Sequence, residues 1–284
     1  MQYLTSADGT KIALHEMGGI GNPLLLVHAT GFGALVYQEL ANLLSDSFTI
    51  FGVDLRFQGN SERSASGGYN WANFGDDALT ALLAIRDRYP AGTPIYGFGH
   101  SCGGMALLLA ALKEPGLVSS LYLYEPIIVP QEMEDTPYVS NPLADFTMKR
   151  REVFGSRHEA FENFTTKAPM MHFSALSQRS YVEHCLKELP SGEVALCCAR
   201  EDEAAIYSAM ASTKMYSRLE GVKVPTIISR GSNSDTFSVS YYRNIASLLP
   251  YGSFEEVADV DHFGPMCLPA VFAEHIKVNL DLAE

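Results

Sequence analysis

The sequence lacks the features that mark membrane-spanning, repetitive or low-complexity proteins. No stretch approaches the roughly 18 to 20 apolar residues that a membrane span requires, and the start, MQYLTSADGTKIALHE, has neither a basic end nor an apolar signal core. No internal repeat or low-complexity tract is present, which argues against a solenoid or a linker. We therefore expect a cytoplasmic protein without a membrane span.

Cysteine and basic residues are both scarce. The five cysteines are odd in number and have no paired zinc-like spacing, so we expect reduced thiols and no bound metal. Only 20 basic residues stand against 33 acidic ones, and the net charge of −13 repels phosphate backbones and anionic lipid. The basic cluster KRRE, residues 149–152, is interpreted as a solvated helix face. Nucleic acid is therefore not an expected partner.

The rest of the composition is typical of a soluble globular protein. The 284 residues are 47% hydrophobic and 19% charged, enough for a large core in one or two domains. Short β-rich runs alternate with longer helical patterns, which predicts βαβ units and a mostly parallel sheet. Asp8-Gly9 predicts an antiparallel hairpin at the start. The strand-like runs are KIALHE, LLLVHAT, FTIFGVD, PIYGFGH, SSLYLYE, PTIISRG and SFEEVAD.

The alternation stops in the middle of the chain. Residues 127–222 are rich in Phe, Met and short helical patterns, and we interpret them as a helical cap inserted into a core made of residues 1–126 and 223–284. Five large apolar side chains of this segment either line an apolar pocket or belong to the interior of its helices, and the second interpretation is favoured. They are Phe161, Phe164, Met170, Met171 and Phe173.

The segment YGFGHSCGGMALLLAAL, residues 96–112, contains a motif that carries chemistry. Gly99 to Gly103 read G-x-S-x-G, which is the pattern of a nucleophile elbow when it follows a strand and opens a helix. A strand that turns directly into a helix strains the serine backbone, and a Cβ at either flanking position would strike a neighbouring strand or helix. Ser101 is therefore the candidate nucleophile, and a plain turn or N-cap serine is the alternative.

The same segment also begins like a dinucleotide-binding turn. Gly97 and Gly99 supply the first two glycines of G-x-G-x-x-G, but Cys102 occupies the position of the third. No P-loop pattern occurs in the sequence. Nucleotide binding is thus a poor explanation of this turn.

Taken together, the motifs resemble those of a capped α/β-hydrolase of the serine esterase type. The matching segments, which span nearly the whole chain apart from the cap, are HATGF (28–32), DLRFQGNS (54–61), GHSCGG (99–104), RGSNSD (230–235) and DHFGPM (261–266). The second segment departs from the family's D-x-R-G-x-G-x-S, with Phe57 in place of the first glycine and Gln58 where histidine is common. The resemblance implies an eight-stranded, mostly parallel sheet flanked by helices, and no cofactor.

An oxyanion formed by attack of Ser101 requires two N–H donors. The residue after the nucleophile, Cys102, supplies one, and Thr30 in the loop after LLLVHAT is the candidate for the other. A loop that merely uses Gly and Thr is the alternative. His28 is expected to orient this loop by hydrogen bonding and not to act as a base.

The chain order of this family, serine then acid then histidine, leaves five candidate bases after Ser101. His262 is selected because it lies just beyond the last predicted strand, in a loop that can reach the serine. His275 falls in a helical run. The other three lie in the predicted cap; they are His158, His172 and His184.

Two carboxylates have the placement required of the triad acid. Asp235 follows the first strand after the cap, which is the usual location in the family, and a plain turn aspartate is its alternative. Glu125 ends the strand after the elbow helix, where some related hydrolases carry their acid. Asp235 is slightly favoured, and Glu125 remains open.

A serine nucleophile argues against the epoxide hydrolases and dehalogenases of this superfamily, which use a carboxylate. We expect a serine hydrolase without cofactor that acts on a small, moderately hydrophobic carboxylic ester or lactone. A C–C bond hydrolase or perhydrolase with the same triad, or a non-catalytic small-molecule receptor, are the alternatives. The partner is a small-molecule substrate; a homodimer is compatible with the sequence, which does not fix the oligomeric state.

Overall fold

The computed structural model describes residues 1–136 and 141–281. Its strands, in chain order, are β1 (Gln2–Thr5), β2 (Lys11–Gly19), β3 (Asn22–Val27), β4 (Phe48–Val53), β5 (Tyr96–His100), β6 (Ser120–Tyr124), β7 (Val153–Phe154), β8 (Leu186–Glu188), β9 (Val194–Leu196), β10 (Thr226–Gly231) and β11 (Gly252–Val257). Its α-helices are α1 (Gln38–Leu44), α2 (Ala72–Arg86), α3 (Cys102–Lys113), α4 (Pro142–Met148), α5 (Arg157–Thr165), α6 (Ala175–His184), α7 (Arg200–Ser208), α8 (Val239–Leu248), α9 (Gly264–Cys267) and α10 (Pro269–Asp281). Short 3₁₀ helices span Ala34–Tyr37, Gln131–Met133, Met170–His172, Met210–Thr213 and Tyr216–Gly221.

Within the described residues, eight strands form one sheet in the order β1-β2-β4-β3-β5-β6-β10-β11. β2 pairs antiparallel with β1 and with β4, and the remaining neighbours are parallel. The turn between β1 and β2 places Gly9 at φ 90°, a backbone angle that favours glycine. The predicted hairpin and the predicted eight-stranded, mostly parallel sheet are confirmed.

Helices cover both faces of this sheet, and β3 shows why its sequence does not alternate. Leu25 and Val27 point into one apolar cluster, where they meet the helices α2 and α3. Leu24 and Leu26 point into the cluster on the other face, which includes residues of α1 and α10. A strand buried on both faces is apolar at every position, as the run LLLV is.

The chain between β6 and β10 corresponds to the predicted cap and contains α4 to α7. It also contains a small antiparallel sheet, β7-β9-β8, which the sequence analysis did not predict. These strands have two or three residues each, too few to show a periodic pattern. Residues 137–140 of the cap segment (residues 127–222) and residues 282–284 of the predicted core lie outside the described residues.

A helix that crosses a bilayer must be both long and predominantly apolar. Across residues 1–136 and 141–281, no helix is long and apolar enough to cross a membrane.

Candidate active site

Ser101 lies at the sharp turn between β5 and α3. Its backbone has φ 57° and ψ −118°, a conformation that residues with a side chain rarely adopt. A Cβ at Gly99 would lie 2.6 Å from the Cα of Gly104, and one at Gly103 would lie 2.1 Å from the carbonyl oxygen of Val27. Only glycine fits at either flanking position, which holds the strained serine at the end of the strand.

The neighbouring strand brings a carboxylate beside this turn. β5 and β6 are parallel, and His100 pairs with Tyr124, so the next residues, Ser101 and Glu125, follow equivalent strand ends. The Ser101 N–H donates to the Tyr124 carbonyl at 2.9 Å. Glu125 also has a positive φ, 45°, and its side chain is fully buried.

Glu125 holds the imidazole of His262, which lies on the loop after β11. The Nδ1–H of His262 donates to Glu125 Oε2 at 2.7 Å. Glu125 also accepts from the Gly231 N–H at 2.9 Å and from the Ser234 hydroxyl at 2.7 Å. Burial alone would raise the pKa of this carboxyl, but the bonds from His262, Ser234 and Gly231 outweigh it and hold the pKa below its usual value. An ionised carboxylate only accepts hydrogen bonds, so in the neutral ring it favours the tautomer with the proton on Nδ1, in which Nε2 is an acceptor.

The structure does not bring Asp235 into this arrangement. Asp235 is exposed on the loop between β10 and α8, while the same loop supplies Gly231 and Ser234 to Glu125. The preference for Asp235 therefore disagrees with the geometry, which supports Glu125 as the partner of His262. The physical reason is that the loop after β10 turns two donors, the Gly231 N–H and the Ser234 hydroxyl, towards Glu125, and its own carboxylate remains exposed.

The ring of His262 lies next to the ring of His100, the residue before Ser101. The two imidazole rings have their centroids 4.8 Å apart. His100 is fully buried, and burial together with the nearby His262 lowers its pKa well below the usual value, so it is neutral. The Tyr37 hydroxyl accepts from the Ala29 N–H at 3.2 Å and lies 2.7 Å from His100 Nδ1. Tyr37 thus ties the elbow strand to the loop after β3.

That loop places Thr30 next to the elbow, because β3 is the other neighbour of β5. The Gly31 N–H donates to Gln58 Oε1 at 2.7 Å. Within residues 1–136 and 141–281, no hydrogen bond uses the backbone N–H of Thr30 or of Cys102. Among the described residues, the two N–H groups predicted to stabilise an oxyanion thus have no acceptor.

The Cys102 side chain beside this pair of N–H groups is not a competing nucleophile. Burial raises the pKa of its thiol to about 12, and the neighbouring Thr30 hydroxyl opposes this only in part. At neutral pH the sulfur is therefore protonated and weakly reactive.

His28 holds the loop, as its position in the sequence suggests. Its Nδ1 lies 2.7 Å from the Ala29 carbonyl oxygen, and its Nε2 accepts from the Leu55 N–H at 3.0 Å. Both ring nitrogens are used, and burial lowers the pKa of the ring. The other histidines that follow Ser101 lie elsewhere; His275, for example, pairs with Glu255 at 3.1 Å.

A cavity of about 440 Å³ separates the strand-end loops from the cap segment. Thr30, Gly31 and Phe32 line it on one side, together with Phe263, which follows His262 in the chain. Ser101 itself does not line the cavity. The lining residues that connect the cavity to the site are Thr30, of the predicted oxyanion loop, and Phe263, which follows His262. Its apolar lining from the cap includes Phe146, Phe164, Met170 and Tyr181.

The five apolar cap residues singled out in the sequence follow the two interpretations to different degrees. Phe164 and Met170 fit both, because they line the cavity and also belong to a buried apolar cluster. Phe161 is partly buried and packs against the same cluster. Phe173 is buried in the core cluster and has its ring centroid 6.0 Å from that of Phe32. Met171 is 48% exposed and belongs to neither.

The charged lining of the cavity was missed by the sequence analysis. The KRRE cluster is not a helix face: α4 ends at Met148, and Arg150 enters the cavity, where its Nη2 donates to Glu203 of α7. A Cβ at Gly31, which has φ 83°, would lie 2.7 Å from Glu203 Oε1. The carboxylate therefore packs directly on the loop that carries Thr30. The presence of KRRE was visible in the sequence, but its buried partner was not.

A metal ion in a protein is usually held by several His, Cys, Asp or Glu side chains that lie close together. Over residues 1–136 and 141–281, no group of three or more His, Cys, Asp or Glu side chains is arranged to bind one.

Comparisons with known proteins give the following similarities. A family model described as alpha/beta hydrolase fold matches residues 22–266. A monoglyceride lipase of Homo sapiens is 28% identical over 133 residues, which cover 45% of this chain and 44% of the lipase. A 2-(acetamidomethylene)succinate hydrolase of Mesorhizobium japonicum is 25% identical over 275 residues, covering 93% of this chain and 89% of that protein.

A solved structure shows the same fold. The crystal structure of E-2-(acetamidomethylene)succinate hydrolase superposes with a TM-score of 0.79 at 21% identity, covering 99% of this chain and 98% of that chain. The chain spans about half the length of the mouse and rat monoglyceride lipases that it matches, 50% of each.

Proposed function

Because this chain belongs to the α/β-hydrolase fold family, we propose that it is a serine hydrolase acting on a small, moderately hydrophobic carboxylic ester or lactone. The observation that carries the proposal is the 2.7 Å bond between His262 Nδ1 and the buried Glu125 carboxylate, beside the strained turn of Ser101. A nucleophile, a base and a group that orients the base are the parts that acyl transfer to water requires. This reaction needs no cofactor.

The proposed reaction proceeds through an acyl-enzyme. Ser101 Oγ attacks the ester carbonyl while Nε2 of His262 accepts the hydroxyl proton, and Glu125 stabilises the resulting imidazolium. The N–H groups of Thr30 and Cys102 hold the oxyanion. His262 then passes the proton to the leaving alcohol, the C–O bond breaks, and water repeats the sequence to release the acid.

The names of the relatives support hydrolysis of an acyl bond. A lipase cleaves esters, and the succinate hydrolase is also named for hydrolysis. The cavity between the loops and the cap segment has aromatic side chains and a methionine in its walls beside charged ones, and it suits a small organic substrate. The cap segment would then close over the substrate while the strand ends perform the chemistry.

The proposal is tested by labelling with a fluorophosphonate and by hydrolysis of short p-nitrophenyl esters. We expect one covalent label per chain and turnover in the wild type, with both lost in Ser101→Ala. Ser247→Ala, an exposed serine of α8, is the matched control and should keep both. Labelling at a residue other than Ser101 would contradict the proposal, and ligand binding without turnover of any ester would favour the receptor alternative.

A further inference from the structure

The Arg150 guanidinium is incompletely bonded although it is largely enclosed. Its Nη2 donates to Glu203, and the Arg150 side chain is 28% exposed while that of Glu203 is 5% exposed. The Nε–H of Arg150 is buried and has no acceptor among the residues that the structure describes. A buried donor of a charged group is seldom left unpaired in a protein unless something else binds there. This unpaired donor belongs to a residue that lines the cavity.

The charge around the cavity has the opposite sign to that of the whole chain. Four cationic side chains line its described part and one carboxylate does; the cations are Lys149, Arg150, Arg151 and Lys167. The chain as a whole carries a net charge of −13. A cationic cleft in an otherwise anionic surface concentrates anionic ligands.

Within the described residues, two of these four cations, Lys149 and Lys167, have no carboxylate partner. Arg151 pairs with Glu159 at 2.7 Å, and Lys167 donates to the neutral amide oxygen of Asn163 at 2.6 Å. Lys149 lies over the ring of Phe146, 5.9 Å from its centroid. Glu203, the one carboxylate that lines the described part of the cavity, is already paired with Arg150.

Together these features define a site for one anionic group at the Arg150 end of the cavity. We propose that Arg150 binds a second, unreacted carboxylate of the substrate, so that the substrate is an ester with a free carboxylate on its acyl or its alcohol part. A planar guanidinium with a free N–H matches a carboxylate in geometry as well as in charge. Phe164 and Tyr181 provide an apolar wall for the carbon chain between that carboxylate and the ester group near Thr30. This inference rests on the proposed hydrolase function and specifies its substrate class.

The test compares esters that differ only by a carboxylate. Monoethyl glutarate is compared with ethyl valerate for a charge on the acyl part, and 4-acetoxybutyrate with butyl acetate for a charge on the alcohol part. We expect kcat/KM to favour the charged member of at least one pair by about tenfold or more, mainly through KM. Preference for the neutral member in both pairs would overturn the proposal.

Variants assign the preference to Arg150. Arg150→Lys keeps a cation for Glu203 but has no Nε–H, and we expect the preference to fall about tenfold. The double variant Arg150→Met with Glu203→Gln removes the buried pair together, so that no unpaired charge is left, and should abolish the preference. Arg179→Met is the matched control, because Arg179 is an exposed arginine of cap helix α6 outside the cavity lining. An unchanged preference in both Arg150 variants would overturn the assignment.

A binding measurement separates this inference from the proposed chemistry. Glutarate is titrated into Ser101→Ala, with and without Arg150→Lys, and binding is followed by calorimetry. We expect glutarate to bind and Arg150→Lys to weaken it about tenfold. If the wild type hydrolysed none of the four esters while this binding persisted, the hydrolase proposal would fail and the carboxylate site would stand. Absence of binding would overturn the carboxylate site itself.

Discussion

The strand ends and the cap segment hold their charged groups in different ways. At the strand ends, the Glu125 carboxylate accepts from His262, Ser234 and Gly231 and is fully satisfied by the protein. In the cap segment, Arg150 is bonded to Glu203 through Nη2 while its buried Nε–H has no acceptor within the described chain. The two regions meet at Thr30 and Gly31, which line the cavity.

This difference indicates two roles: the strand ends are preorganised for a reaction, and the cavity is suited to recognise a ligand. A carboxylate whose bonds are all internal needs no rearrangement when charge develops on the histidine beside it. A guanidinium with a free donor gains a bond when a ligand arrives. We therefore expect substitutions at the strand ends to act mainly on kcat and substitutions in the cavity to act mainly on KM.

The largest effect is expected when Glu125, the proposed acid at the strand ends, is replaced. Glu125→Gln should lower kcat roughly 10⁴-fold, because an amide can donate to Nδ1 and would stabilise the wrong tautomer of His262. Asp235→Asn, at an exposed position, should change kcat by less than about twofold. Steady-state kinetics on one ester measures both. Loss of activity in Asp235→Asn with Glu125→Gln still active would restore Asp235 as the acid.

A smaller change removes one of the bonds that hold Glu125. Ser234→Ala leaves the Gly231 N–H and His262 as donors, and we expect kcat to fall roughly tenfold with little change in KM. Ser240→Ala, an exposed serine at the start of α8, is the control. An effect of Ser234→Ala on KM alone would contradict a positioning role at the strand ends.

In the cavity, Glu203→Gln tests whether a substitution there acts on KM and not on kcat. It removes the one carboxylate that lines the described part of the cavity, and we expect KM for monoethyl glutarate to fall roughly threefold. kcat for the same ester should be nearly unchanged, because Glu203 takes no part in the proposed chemistry. A rise in KM would mean that holding Arg150 in place outweighs the repulsion by the carboxylate.

The smallest expected effect concerns stability in acid. The pKa of Glu125 lies below its usual 4.5 in the folded chain, so the unfolded chain binds more protons and the contribution of this group is present above about pH 4.5. As the pH falls from there through the folded pKa, the contribution is lost. Urea unfolding at pH 6 and pH 4 should show a smaller loss in Glu125→Gln than in the wild type, by on the order of 0.5 kcal/mol. An identical loss in both proteins would argue against an ionised Glu125.

The central strands of the sheet were predictable because they are buried on both faces. The run LLLV of β3 is apolar at every position for that reason, and the elbow glycines are dictated by contacts with Val27 and Gly104. The cap strands were not predictable, since two or three residues such as Val153–Phe154 show no period. Local sequence pattern thus predicts the strands of the core far better than those of the cap segment.

The partner of His262 could not be chosen from the sequence. Glu125 and Asp235 both follow strands that neighbour each other, β6 and β10. Chain order allows either one, and only the direction of each side chain distinguishes them. Arg150 was misjudged for a similar reason, because a run of basic residues does not reveal a buried carboxylate that is 53 positions away in the chain.

The register between β5 and β6 has a consequence for motion. Ser101 and Glu125 extend two strands that are hydrogen-bonded side by side, and the Ser101 N–H is itself bonded to the Tyr124 carbonyl. These two residues are therefore expected to fluctuate together as one rigid unit, whereas His262 is carried by a separate loop after β11. Any conformational gate within the proposed catalytic set would then reside in that loop. Fast dynamics measured on the backbone near His262 would report on it more directly than measurements at Ser101.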